Sequence, residues 1–282
     1  YHTYEIQGIR CKYLEYCLQS KNIEMFSLYA KRGSRQGKSI DLKRWLTYKI
    51  PVYSEEDQIV IEENLNIINV VIELRRKQLE LLDELVRARF VEMFGDPRIN
   101  PMNFNKSELK DTCDIITGNT PSRKNEEYYG NYIEWIKTDN IVVNKLNPTY
   151  AKESLSKEGM DVGRTVEKNC ILMACIAGSI SSIGRVCVTD RKVAFNQQIN
   201  AIVPKKYNCM FLYVLMQVSK DYLVDGINMA LKGILSKSRL EKKQFIVPPL
   251  ELQNQFASFV QEIDKSRLLS NHSLFLLKSI TF

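Results

Sequence analysis

Between Pro51 and Gly95 the chain contains no proline or glycine, and its apolar residues recur in a fixed rhythm. Ile61, Leu65, Ile68, Ile72, Leu79, Leu82, Val86 and Met93 fall on a seam of steps of four and three, with Arg75 taking the seam position before Leu79. That spacing is a heptad seam rather than the broader stripe of a surface helix. It predicts a single helix over 55–94, a rod of roughly 60 Å at 1.5 Å per residue, stopped by Asp96 and Pro97. A second helix is expected over 251–282. Its seam is poorer: Phe256, Val260 and Ile263 fit, Arg267 and Ser270 do not, and Leu274 and Leu277 resume it. Each helix is too long for one domain to cover, so the two are expected to pair with each other as an antiparallel coiled coil. The alternative is two amphipathic helices on separate cores.

Between them the periodicity changes. Strand-like runs at 132–136, 170–176, 185–188 and 201–203 are interrupted by Gly118, Gly130, Gly163, Gly178 and Gly184, and a helix is predicted over 209–218. The fold class is therefore α+β: a mixed domain of short strands, plus two long helices.

The chain also repeats itself. The stretch from Ile50 to Gln58 resembles that from Val247 to Gln255, pairing Pro51 with Pro248 and Gln58 with Gln255 at an offset of 197. The same offset pairs Tyr16 with Tyr213, Leu18 with Leu215, and Thr3 to Ile6 with Asn200 to Val203. A period this long means two copies of a domain-plus-helix module, not a solenoid.

Composition adds exclusions. Forty basic against 33 acidic residues leave a formal charge of +7, which permits a polyanionic partner without requiring one. Seven cysteines without C-x₂-C spacing and two histidines, His2 and His272, suit neither a structural zinc site nor a Ser/His/Asp or Cys/His set, and the unpatterned odd count favours a reducing cytosol. Neither a signal peptide nor a membrane-spanning segment is expected, since these residues hold no apolar run near 18 residues. Gly33 to Ser39 looks like a phosphate loop, but its first glycine is one residue too close. Asn147, Pro148, Thr149 and Tyr150 look like an amino-methyltransferase motif, with the third residue wrong and no Gly-rich cofactor loop upstream.

The polar loops carry the chemistry. They hold Thr117, Asn119, Thr120, Ser122, Arg123 and Lys124; Lys137, Thr138 and Asn140; Ser179, Ser181, Ser182 and Arg185; and Asn196, Gln197 and Gln198, with Lys232 and Lys237 further on. Hydroxyls, lysines and backbone N–H groups suit phosphates, and Asn, Gln and Arg forks suit base edges. Arg185 and Gln197 are the first candidates for base reading. Arg123, Lys124, Lys137, Lys232 and Lys237 are expected on phosphates. The competing reading makes each of these loops an ordinary surface turn.

Four motifs in order then point to a family. Ile116 to Ser122, Tyr128-Tyr129-Gly130 and Ile133 to Thr138 resemble the opening of a target recognition domain of Type I restriction–modification specificity subunits. Gly178 to Gly184 and Phe195 to Ile199 resemble its middle. Ser236 to Leu240 and Val247 to Gln255 resemble its close, and Phe94-Gly95-Asp96-Pro97 is similar to the junction after the central conserved helix. The resemblance implies four parts: 1–54, the C-terminal part of a first recognition domain; 55–94, the central helix; 95–250, a complete recognition domain; and 251–282, the C-terminal helix. It implies a non-catalytic subunit that reads half of a bipartite site in double-stranded DNA, with the helices setting the gap. Modification (methyltransferase) subunits would bind along the helices, near Arg75, Arg76, Arg87 and Arg89, and a restriction subunit would join them. S-adenosylmethionine, ATP and Mg would belong to those partners, with no cofactor or metal in this chain. A cytoplasmic location and self-association of a half-length form are further expectations. The alternatives are a coiled-coil scaffold that does not read DNA, and a fused methyltransferase fragment.

Overall fold

The computed structural model of the protein describes residues 7–20, 41–227 and 233–281. Thr3 to Ile6, the Gly33–Ser39 loop, His2 and Lys232 lie outside them. The chain divides into two compact units, Tyr1–Asp83 with Asp264–Phe282, and Glu84–Ile263.

The predicted rod is one helix. After α1 (Cys11–Ser20) and α2 (Leu42–Trp45), α3 runs over Glu55–Phe94. Ser54 starts it: its hydroxyl accepts from Asp57 N–H at 3.2 Å. Glu55, Glu56 and Asp57 in the first turn suit the positive end of the helix dipole. Gly95 ends it in the left-handed region at φ +70°, its N–H donating to Val91 C=O at 2.8 Å.

In the unit formed by Tyr1–Asp83 and Asp264–Phe282, α1 is tied to the start of α3. Arg10 N–H donates to Gln58 Oε1 at 2.8 Å, and Gln58 Nε2 donates to Tyr53 C=O at 2.9 Å. Buried Glu62 accepts from the Arg10 guanidinium at 2.9 Å and from Tyr13 N–H at 3.1 Å. The end of α3's share pairs with the last helix, α9 (Leu250–Thr281), through a polar layer. Arg267 donates to Asp83 and Asp264, both at 2.6 Å, and Ser270 donates to Gln78 at 3.4 Å. Rising numbers on α9 meet falling numbers on α3, so the pair is antiparallel. The two residues that break the α9 seam are the ones that form this layer.

In the Glu84–Ile263 unit the same antiparallel order continues: Phe94 and Phe90 pack on Phe256, with centroids 5.6 and 5.5 Å apart, and Arg89 lies 5.9 Å from the Phe259 ring. Phe90, Phe94 and Phe256 are fully buried in the core of this unit, and Phe259 is partly buried against it. The domain opens with β1 (Lys106–Glu108), α4 (Leu109–Thr112), β2 (Cys113–Thr117), β3 (Tyr129–Ile136) and β4 (Ser154–Leu155). It continues through α5 (Lys157–Val162), β5 (Thr165–Val166), β6 (Ile171–Ala174), β7 (Ile176–Ala177), β8 (Val186–Val188), β9 (Val193–Phe195) and β10 (Ile199–Pro204). It closes with α6 (Cys209–Val218), α7 (Lys220–Val224), β11 (Gly233–Ile234), α8 (Lys237–Glu241) and β12 (Gln244–Ile246).

Two four-stranded sheets result, ordered β2-β10-β6-β8 and β4-β3-β9-β5, with short pairs β1-β12 and β11-β7. The first is antiparallel throughout; in the second β3 and β9 are parallel. Strand β6 is buried at every residue, Ile171 to Ala174, so it shows no apolar alternation. The predicted run at 170–176 is split in two, because Cys175 and Ile176 N–H both turn to Gln198 C=O.

The internal repeat is real in geometry but not at one offset. Gln253 repeats the Gln58 clasp: its Oε1 accepts from Asn208 N–H at 2.9 Å and its Nε2 donates to Pro248 C=O at 2.8 Å. Gln58 therefore corresponds to Gln253, not Gln255, an offset of 195, while Arg10 corresponds to Asn208, an offset of 198. The spans between the clasped residues, 48 in the first copy and 45 in the second, differ by those three residues. The offset of 197 lies between the two.

Candidate nucleic-acid interface

The loops that sequence singles out are joined by backbone hydrogen bonds around Asn196, Gln197 and Gln198. Asn119 N–H donates to Phe195 C=O at 3.2 Å and Gly118 N–H to Ile199 C=O at 3.0 Å, which brings the 117–124 loop in. Asn196 N–H donates to Ile136 C=O at 3.0 Å, which brings in Lys137, Thr138 and Asn140. Cys175 and Ile176 donate to Gln198 C=O, which anchors the loop of Ser179, Ser181, Ser182 and Arg185. Gly118 makes the junction possible: a Cβ there would lie 2.2 Å from Asn196 O.

The candidate side chains separate into two groups. One spends its polar groups inside the protein. Asn119 Oδ1 accepts from Arg164 N–H at 2.9 Å and its Nδ2 donates to Val162 C=O at 2.9 Å. Asn140 Oδ1 accepts from Lys137 N–H at 2.9 Å, and its Nδ2 serves Thr149 and Tyr150. Asn196 is 5% exposed and bonds Gln198 through both its Oδ1 and its Nδ2. These three amides shape the loops.

The second group faces solvent. Thr117, Thr120, Ser122, Lys124, Ser179, Ser181, Gln197 and Lys237 are exposed, and Thr138, Ser182, Arg185 and Gln198 are half-buried. The Thr120 hydroxyl donates to Gln197 Oε1, which orients that amide and leaves its N–H₂ outward. Ser179 Oγ is 3.0 Å from Ser181 Oγ and 2.9 Å from Ser182 Oγ. Arg185 Nε and Lys220 Nζ both donate to Ser181 C=O, at 3.3 and 2.7 Å. Lys220 was missed by sequence reasoning, because only the turn between α6 and α7 brings it to the serine loop. Burial, and then the charge of Arg185, hold its ammonium below the usual lysine value. Two cations on one carbonyl, beside a cluster of three hydroxyls in the same loop, form a setting that favours an anion. Lys237 is 3.6 Å from Glu241.

Arg123 and Lys137 are already paired. Both bind the Glu153 carboxylate, Arg123 at 2.6 Å, and both lie over the Trp135 ring, at 5.2 and 4.9 Å. Neighbouring Glu134 pairs with Arg191 and accepts from Ala151 N–H at 2.8 Å. Burial opposes the Glu134 charge, yet these bonds outweigh it and hold its carboxyl below 4.5. Among the described residues there is no cluster of His, Cys, Asp or Glu arranged for a metal, and no helix long and apolar enough to cross a membrane.

Residues 101–274 match the family model described as the Type I restriction modification DNA specificity domain. The chain belongs to that family. The Type I specificity domain here is 31% identical over 174 residues to the Type I restriction enzyme HindI specificity subunit of Haemophilus influenzae. It is 25% identical over 190 residues to the MjaIX specificity subunit of Methanocaldococcus jannaschii. The matches take in 60% and 64% of this chain, but only 37% and 43% of those relatives' own length.

The fold agrees with solved structures of the same class. The HsdS subunit from Thermoanaerobacter tengcongensis superposes with a TM-score of 0.51 at 17% identity, over 96% of this chain and 67% of that one. The Type I S subunit from M. genitalium gives 0.58 at 13% identity, over 97% and 71%. A chain from work on complex assembly and conformational transition of the type I R-M system gives 0.60 at 17%, over 96% and 68%.

Proposed function

We propose that this chain reads one half of a bipartite sequence in double-stranded DNA and holds modification and restriction subunits to it, with no chemistry of its own. The observation that carries the reading is the junction at Asn196, Gln197 and Gln198, which gathers four loops with outward amides, hydroxyls and cations. Backbone-rooted loops can present several donors to one duplex, and base-edge contacts then select sequence. Gln197 and Arg185 remain the proposed base readers. Lys124, Lys220, Lys237 and the Ser179, Ser181 and Ser182 hydroxyls are assigned to phosphates. Asn119, Asn140 and Asn196 are reassigned from contact to loop support.

The long helices are proposed as the dock. Arg75, Arg76 and Arg89 are engaged with Gln78, Glu73 and Glu92 on their own helix, which leaves exposed Arg87 as the freest of the four. A better surface is Val60, Ile67, Leu74 and Leu81, spaced seven apart and each more than half exposed, on the flank of α3 that borders its seam. A groove of about 580 Å³ meets this stripe at Leu74 and is otherwise lined by Asn69, Val70, Glu73, Arg76, Lys77 and Glu80. Such spacing suits a helix of the modification subunit. S-adenosylmethionine, ATP and Mg are assigned to the partners.

The test is to transplant residues 98–246 into a relative of different target and map the methylated adenines. The hybrid should methylate one new half-site and keep its spacer; retention of the whole original target would refute the reading.

A further inference from the structure

Arg123 and Lys137 belong to two different loops, and one carboxylate holds both. Glu153 Oε2 is 2.6 Å from Arg123, its Oε1 is bound by Lys137, and its own C=O accepts from Trp135 N–H at 3.1 Å. The guanidinium of Arg123 also lies 4.3 Å from the Tyr129 centroid. Trp135, buried to 3% exposure, is fixed by its Nε1 donating to Asn119 C=O at 3.3 Å. All three charged side chains remain open to solvent, at 55%, 33% and 39% exposure for Arg123, Lys137 and Glu153.

We propose that Glu153 is a specificity-determining residue: an internal competitor for phosphate that keeps Arg123 and Lys137 from gripping DNA of any sequence. The proposal rests on this face being the DNA-reading one. A phosphate and a carboxylate offer the same thing to a guanidinium or ammonium, oxygen acceptors carrying negative charge. Sequence-independent binding comes almost entirely from such contacts, so masking two cations suppresses it selectively. The mask has a geometry suited to release. The aromatic floor of Tyr129 and Trp135 holds both cations in place without the carboxylate, so a well-seated duplex can take them over while a loosely docked one cannot. Lys137 first, and then Arg123, keep the Glu153 carboxyl below its ordinary value, so it stays charged at neutral pH.

The experiment measures binding of the full chain to random-sequence duplex over a series of salt concentrations. Glu153→Gln should bind several-fold more tightly at low salt, with the slope of log K against log salt steeper by about one to two, since each phosphate contact contributes about 0.9. Adding R123Q and K137Q to E153Q should abolish the gain. E153Q binding no tighter than wild type, with an unchanged Tm, overturns the proposal. If the double variant R123Q/K137Q and the variants Arg185→Gln and Lys220→Gln in the unaltered chain also leave binding unchanged, the DNA-face reading falls with it. If those variants weaken binding while E153Q does nothing, only the role of Glu153 falls.

Discussion

Gly118 sits where two loops come closest. An added Cβ would meet Asn196 O at 2.2 Å and Phe195 O at 2.5 Å, both backbone atoms that cannot rotate away. Gly118→Ala should therefore cost about 1–3 kcal/mol of stability, as overpacking does, and should lower DNA affinity; denaturant midpoints and binding measured together would check it. Protonation acts at the same scale. Glu134 and Glu153 both have folded pKa values below their unfolded ones. The unfolded chain therefore takes up protons first, and their contribution is complete above about pH 4.5 and lost as pH falls through the folded values. Asp264 has the opposite sign: burial raises its carboxyl, so it favours the fold as pH drops. Urea midpoints across acid pH should fall for the wild type and fall less for Glu134→Gln.

The long helices show how much of an element is legible. Continuous heptad spacing with no glycine or proline placed α3 at 55–94, because such a pattern admits one solution. The helix expected at 209–218 is found at those bounds, although its near-continuous apolar run, buried from Phe211 to Met216, has no heptad seam; Asn208 caps Met210 and Phe211 N–H at 2.9 and 3.4 Å. Strands β2 and β9 were not legible. Cys113 to Thr117 and Val193 to Phe195 are short, and their pairing is set by partners distant in sequence. The loops of the candidate site were visible by composition, but their convergence on Asn196 and Gln198 was not, since backbone bonds leave no side-chain signature. Nor could a sequence reveal that Arg267 would mend the seam it interrupts. Its Nε and Asp264 Oδ2 are buried without partners, so the layer is only partly satisfied. Removing Arg267 alone leaves two acids facing each other and should cost about 2–3 kcal/mol by thermal or chemical melting. Replacing Asp83, Asp264 and Arg267 together with leucines should cost much less, and a triple variant as unstable as the single one would contradict this account.

At the scale of the whole molecule, the repeated glutamine clasp makes each long helix start in the same relation to its own domain segment. One design is used twice, at offsets of 198 and 195. The docking face of α3 should decide assembly without touching sequence choice. Leu74→Asp with Leu81→Asp should prevent co-purification with the modification subunit while leaving DNA binding by the chain itself unchanged. Loss of DNA binding in parallel would place that face against the duplex instead. The four apolar side chains at positions 60, 67, 74 and 81 also bear on the fate of the chain before assembly. A stripe of this kind, open to water, is what chaperones and proteases recognise on an orphan subunit. A pulse-chase of the chain made alone should show fast turnover, slowed by co-expression of its partner. On the proposed reading, the level of this chain in the cell would then be metered by the partner's abundance.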